Sequence, residues 1–523
     1  MAAWQQASRG RTRQAAGSSG WGWLHGPLHL PLPALSRTTL AVALGVLLLM
    51  SELVLPPVSL AAPARRKPVA GEWWMGVYLG ESKLGHVQIT VAPARGLRGG
   101  GYRIRTTTWT RALALGYVQE QRVEVDEHLS RDLRPVTLKV HMGSAGKQVE
   151  VKARFHETVV EVERRAQDDV VRKSLPIPEG AHLVADVESA LLGHAVAPGE
   201  SLHYFFLNTV TLSLEEATAR VVRRERVRHD GEEYDTVVVQ TTSPTVDATS
   251  WLLDDGQPVK MVMHPGITLV RESREKALSG FDDRASEPIR DLAEQLAVQM
   301  EGSITAPEST RFLRLRLRGL PERRFVLSDA RQVARIVEEG DALTVEYTVD
   351  ATAAHPAPLT PAERAALLAP SAYLQVTHPD IQAKATEIVA GATSDDARIQ
   401  ALWAWVHGNL RIQGDIGLPR TALDVLREPV GMCRDYATLY AALARAVGIP
   451  TRVCAGIVYF RDRFYYHAWA ESYAEGCWVP VDPTVAPGFV DATHIKFTQG
   501  DAATMYGAVK SIGRLHATIL EQR

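Results

Sequence analysis

Cysteine is scarce. Only Cys433, Cys454 and Cys477 occur in 523 residues, so no disulfide framework holds this chain together, and the odd number leaves at least one thiol free. Charge of one sign is also missing. A formal net charge of −2 with no long basic block removes the electrostatic basis for nucleic-acid binding. The glycine-rich stretch 96–101 lacks the strand, Gly-Lys-Ser/Thr and helix of a phosphate loop, and 143–147 lacks its earlier glycine and its hydroxyl, so neither is read as a nucleotide-binding loop. Nor is there a His-Glu-x-x-His or paired-cysteine ligand pattern, so metal-dependent hydrolysis is dropped and no cofactor or metal is expected.

Long apolar runs are almost absent. The exception, 40–49, follows Arg9, Arg11, Arg13 and Arg37 and precedes Ser59, Ala61, Ala62 and Ala64, the order of a secretory signal. It falls short of the roughly 20 apolar residues of a stable span, and an uncleaved anchor over 38–55 is the other reading. Under either reading the body of the chain lies outside the cytoplasm, periplasmic or secreted. Membrane attachment, if any, runs through this segment alone.

The remaining length is too great for one hydrophobic core. From 71 to about 279, period-two patterning prevails: Val149, Val151, Ala153 and Phe155 alternate with Glu150, Lys152 and Arg154, and Trp251 to Val262 reads as a hairpin. This is the signature of a large antiparallel β region. A second β block covers 287–352, where Leu313, Leu315 and Leu317 alternate with Arg314, Arg316 and Arg318 as on a half-exposed strand. Ala- and Pro-rich residues 353–370 mark a boundary. Beyond it the period becomes helical: helices are expected over 379–390, 395–410, 421–426 and 434–447, the second capped by Ser394 or Asp395 and the last stopped by Gly448-Ile449-Pro450.

Cys433 therefore opens a buried helix, where unsatisfied amides favour a thiolate and an oxyanion beside it. Downstream, 453–460 and 464–473 read as a hairpin continued by 473–481. In that register Trp469 lies opposite Asp482, and His467 shares its face at a diagonal distance of about 7 Å. Glu471 sits about 13 Å further along the strand and reads as exposed. His407 and His494 have no comparable partner and read as surface or packing residues. Cys454 and Cys477 fall well over 10 Å apart, too far for a disulfide.

Gly431-Met432-Cys433, the run Ala442 to Arg452, His467-Ala468-Trp469-Ala470-Glu471 and Trp478 to Thr484 occur in the order and approximate spacing of the transglutaminase-like superfamily, which this segment resembles. That papain-like group includes animal transglutaminases, peptide N-glycanases and bacterial cysteine peptidase-like proteins. The resemblance implies an α+β core with Cys433 as nucleophile, His467 as general base and acid, and Asp482 as its orienter. Met432 departs from the small or acidic residue often found before the cysteine, and the upstream oxyanion donor is not identifiable. Trp403 and Trp405 read as helix core.

The expectation is a multidomain α+β chain: 1–64 signal or anchor, 65–280 antiparallel β domain, 281–370 second β-rich segment and linker, 371–500 transglutaminase-like catalytic domain, 501–523 C-terminal tail. Its function would be acyl transfer from a protein or peptide substrate through a thioester, with hydrolysis favoured over amine crosslinking. The alternative is a non-catalytic binding or assembly module on a retained scaffold.

Overall fold

The computed structural model describes residues 69–94, 100–114, 116–184, 198–254, 256–280, 291–352, 357–414, 417–486, 488 and 490–523. The expected signal or anchor lies outside the described residues, as do parts of the 96–101 glycine stretch and of the 353–370 boundary. Among the described residues, no helix is long and apolar enough to cross a membrane.

The first region is one 14-stranded antiparallel sheet. Its strands follow one another as a meander, except that Gly71–Leu79 pairs with Ile267–Glu272, which joins the two sequence ends of the region in the middle of the sheet. The alternation sets the faces: in Lys147–Phe155, Val149, Val151 and Ala153 are buried while Gln148, Lys152 and Arg154 are exposed. The segment 143–147 is a hairpin turn, with Ala145 (φ 49°) and Gly146 (φ 76°) both left-handed, the pairing that a tight turn between twisted strands requires.

A five-stranded sheet follows, ordered Gln299–Glu301, His516–Gln522, Phe312–Leu320, Leu343–Asp350, Gln332–Glu339. Leu313, Leu315 and Leu317 point into its core, whereas Arg314, Arg316 and Arg318 pair on the surface with Glu521, Glu346 and Glu301. The arginine row is thus neutralised by neighbouring strands. The expected C-terminal tail is corrected here. Residues Ala502–Ser511 form a 3-10 segment, and His516–Gln522 is an interior strand between Gln299–Glu301 and Phe312–Leu320. Its pairing partners lie some two hundred positions earlier, so no local pattern announces it.

The third region carries the helices Pro379–Ile388, Asp395–Asn409, Ala422–Arg427 and Cys433–Ala446 against a four-stranded sheet. Within the expected boundary, Pro361–Leu368 forms a further helix, capped reciprocally by Thr360 and Glu363. The sheet order is Cys477–Val481, Arg463–Ala474, Thr451–Phe460, Ile495–Gly500. Cys433–Ala446 packs across Arg463–Ala474, and all of its residues but the last are buried.

The large sheet is docked onto the approach to Cys433. Arg164, 1% exposed, donates to the Pro419 carbonyl (3.0 Å) and to Asp424 (3.1 Å), with Asp169 at 3.7 Å. Gln119 donates to the Gly414 carbonyl at 2.7 Å, and Ser144 Oγ accepts from the Gly417 amide at 3.3 Å. Removing Arg164 strands two carboxylates in a site with little water. Arg164→Ala is expected to lower stability by about 3 kcal/mol. The exposed pair of Arg165 with Glu163 should contribute far less, because water screens it. Chemical denaturation of both alanine variants checks this; equal effects would contradict the docking role of Arg164.

Candidate active site

The start of the Cys433 helix is built by its neighbours. Gly431 has φ 154°, and a Cβ there would collide with the Asp435 side chain. That side chain occupies the space because its Oδ2 accepts the Met432 amide at 2.8 Å, the return bond from the third helical position to the N-cap. Gly431 is also tied by parallel pairing of Val430–Gly431 with Arg411–Ile412. Arg434, 2% exposed, donates to the Leu418 carbonyl at 2.7 Å. The loop clamped by the large sheet therefore bears directly on the residue after Cys433.

The hairpin supplies the other two groups. Ala470 pairs with Val481, and Asp482 follows that strand, which brings it beside His467. His467 Nε2–H donates to Asp482 Oδ2 at 2.8 Å, both residues being fully buried. Asp482 Oδ1 is held from behind by the Thr484 amide (2.9 Å) and hydroxyl (2.6 Å). The second ring nitrogen, His467 Nδ1, is buried with no hydrogen-bond partner, and Cys433 is close enough for its charge to act on the imidazole. Burial alone would push the His467 pKa down; Asp482 and then Cys433 outweigh it and push it up to about 10. Burial likewise opposes ionisation of Asp482, but the two neighbouring histidines hold its carboxyl well below the usual carboxylate range.

Two further side chains close the site. Trp469 lies flat against His467 with ring centroids 6.2 Å apart and an interplanar angle of 18°. His407, expected as a surface or packing residue, stacks on Trp403 (5.5 Å) and donates from Nδ1 to the Pro483 carbonyl at 3.1 Å, steadying the Asp-Pro-Thr turn. Trp403 itself donates to the Val485 carbonyl at 3.2 Å.

Two sequence expectations fail here. Glu471 is not exposed: it is buried, bonded to Lys496 at 2.8 Å and Arg452 at 2.7 Å, because Arg463–Ala474 is covered on both faces. His494 is neither a surface residue nor without partners. Its Nε2 lies 3.4 Å from Asp482 Oδ2 and its Nδ1 3.1 Å from Asp491 Oδ1. A signal for it existed in the sequence. Asp491-Ala492-Thr493 repeats the spacing of Asp482-Pro483-Thr484, and Asp491 accepts from the Thr493 amide and hydroxyl just as Asp482 does from Thr484. Ligand atoms of His467, Asp482 and His494 lie within 4.8 Å of one another. Since Asp482 Oδ2 is the shared acceptor of both rings, hydrogen bonding accounts for the cluster and we assign no metal to it. Cys454 and Cys477 are free, with Cys454 paired in register to Trp469 and Cys477 to Ala474.

Residues 382–483 match the transglutaminase-like superfamily. A 129-residue segment is 30% identical to the kyphoscoliosis peptidase of Mus musculus, spanning 22% of this chain and 19% of that protein, and the Homo sapiens protein matches equally. The chain thus spans about a fifth of the length of the curated relatives it matches. Among solved structures, a β-barrel-like protein of Brucella abortus overlaps 39% of this chain and 95% of its own, at 13% identity and a TM-score of 0.31. The periplasmic domain of TgpA from Pseudomonas aeruginosa overlaps 52% of this chain and 73% of its own, at 16% identity and a TM-score of 0.24.

The ion pair makes stability depend on pH in a defined way. His467, raised in the folded state, stabilises fully below its unfolded pKa near 6.5 and loses that contribution as pH rises toward about 10. Asp482, depressed in the folded state, stabilises above its unfolded pKa of about 3.9 and loses that contribution as pH falls. The stability gap between wild type and Asp482→Asn should be widest at about pH 4 to 6.5 and narrow on both sides. Denaturation midpoints across pH measure it; a gap that stays constant into the alkaline range would rule out the ion pair.

Proposed function

We propose that this chain, with its transglutaminase-like segment, is a cysteine acyl-transfer enzyme acting outside the cytoplasm on peptide or carboxamide bonds. The observation that carries the reading is the buried His467 imidazole paired with the Asp482 carboxylate, with Cys433 near enough to act on it by charge. The extracytoplasmic placement rests on the positive, apolar, small-residue order near the N-terminus.

In this reading Cys433 Sγ attacks the substrate carbonyl carbon. The S–C bond forms as the carbonyl electron pair moves onto oxygen, beside the positive end of the Cys433–Ala446 helix. When the adduct collapses, the C–N bond breaks and His467 passes a proton to the departing amine, leaving a thioester. Water deprotonated by His467 then attacks the thioester, releasing a carboxylic acid and the Cys433 sulfur. An acceptor amine in place of water would make a new amide. Hydrolysis is the favoured outcome, because water needs no shaped channel whereas a lysine amine does. Asp482 keeps the imidazole in one tautomer and orientation without itself exchanging a proton.

One observation favours a binding or assembly module instead. Cys433 is 0% exposed, so substrate reaches it only if the covering segments yield. Alkylation by iodoacetamide across pH separates the two readings. For an enzyme, Cys433 reacts rapidly near neutral pH, Cys433→Ala abolishes that labelling, and His467→Ala slows it by about 100-fold or more. If wild-type Cys433 reacts no faster than an ordinary thiol of pKa about 8.5, the module reading wins. For a protein that passes, glutamine-containing peptides with and without a primary amine should release mainly carboxylate; predominant amide exchange would reverse the preference for water.

A further inference from the structure

Asp482 carries a second imidazole, and the chemistry of that contact fixes a charge. Both ring nitrogens of His494 face carboxylate oxygens, Nδ1 toward Asp491 at 3.1 Å and Nε2 toward Asp482 at 3.4 Å. A carboxylate only accepts, and at 3% exposure little water reaches His494. A neutral ring would turn a bare lone pair toward one of the two anions, so both nitrogens must carry hydrogen.

We propose that His494 is a positioning residue of the site: held as an imidazolium between Asp482 and Asp491, it extends the pair of His467 and Asp482 into a four-membered row of alternating charge and tempers the basicity of His467. The inference rests on the acyl-transfer reading for its consequence, though not for the charge itself. A lone buried aspartate would hold the His467 proton tightly, which suits donation to a leaving amine and hinders the later abstraction from water. His494 moderates that hold in two ways. It shares Asp482 Oδ2, and its positive ring stands 5.7 Å from His467.

The surrounding groups leave this effect standing. Trp469, edge-on to His494 at 5.3 Å, brings no charge. Arg331, from the turn leading into Gln332–Glu339, donates to the carbonyls of Val490 (2.9 Å) and Asp491, fixing the loop that carries His494. Its charge acts on Asp491, Asp329 and Glu471. Lys496 is engaged by Glu471 and Asp329. Cys433 also acts on His467 by charge. The same second sheet holds the loop through the Ala492 amide, which donates to the Thr310 carbonyl at 3.0 Å.

The experiment uses the full chain labelled with ¹⁵N-histidine, together with His494→Gln, whose amide can donate to Asp482 while removing the charge. In wild type, the His494 ring should show both nitrogens protonated through neutral pH; a neutral His494 overturns the proposal outright, without recourse to any variant. In His494→Gln, the fall in Cys433 alkylation by the anion iodoacetate, which follows loss of the His467 proton, should move to higher pH by about one unit. On a cleavable amide, kcat should drop with KM unchanged. A merely structural His494 would lower the amount of folded protein and leave the alkaline limb where it was, and that result also overturns the proposal. If wild-type Cys433 shows no enhanced reactivity, the enzymatic reading falls, while the nitrogen spectra still decide the charge of His494.

Discussion

Buried charge must be answered by buried charge, and the site is arranged around that constraint. Taking an isolated carboxylate or imidazolium out of water costs several kcal/mol, so each such group persists only beside a compensating neighbour. His467 is answered by Asp482, and Asp482 and Asp491 by His494. A second set, the buried Glu471 and Lys496 with the half-buried Arg452 and Asp329, obeys the same rule nearby. Because these ions cannot fall back on solvent, small displacements are expensive, and the surrounding backbone is pinned by side chains reaching in from elsewhere.

The two β regions divide that task. The large sheet grips the loop before Cys433 through Arg164 and Gln119, and so bears on the start of the helix. The five-stranded sheet holds the opposite flank, where Arg331 and Thr310 bind the loop carrying Asp491 and His494. Gln332 adds a two-way bridge, accepting the Lys496 amide at 2.8 Å and donating to its carbonyl at 2.9 Å. The regions outside the transglutaminase-like segment are thereby part of the geometry of the site.

What the sequence disclosed and what it hid follow from the range of the interactions. Helix ends were legible because capping is local: Ser394 and the Gly448 stop lie within a turn of the helices they bound. The nearness of His467 to Asp482 was legible because one tight turn at Glu475-Gly476, both left-handed, sets the register of the strands on either side. Glu471 was misread because alternation presumes one wet face, and Arg463–Ala474 has none; its period-two code is erased by covering elements that lie far away in sequence. His494 was misread because its partners belong to a loop whose course depends on the second sheet. The strand His516–Gln522 was invisible for the same reason.

That strand has a consequence in time. It completes the five-stranded sheet from the inside, parallel to Gln299–Glu301 and antiparallel to Phe312–Leu320. Contacts between segments so distant along the chain form late and slowly. A polypeptide emerging N-terminus first can assemble the meander of the large sheet as it appears, since most of those strands pair with their immediate successors. The loop bearing His494, however, leans on a sheet that lacks an interior strand until residues 516–522 arrive. During synthesis the molecule would therefore carry its thiol without a settled partner arrangement, which would come only with completion of the fold.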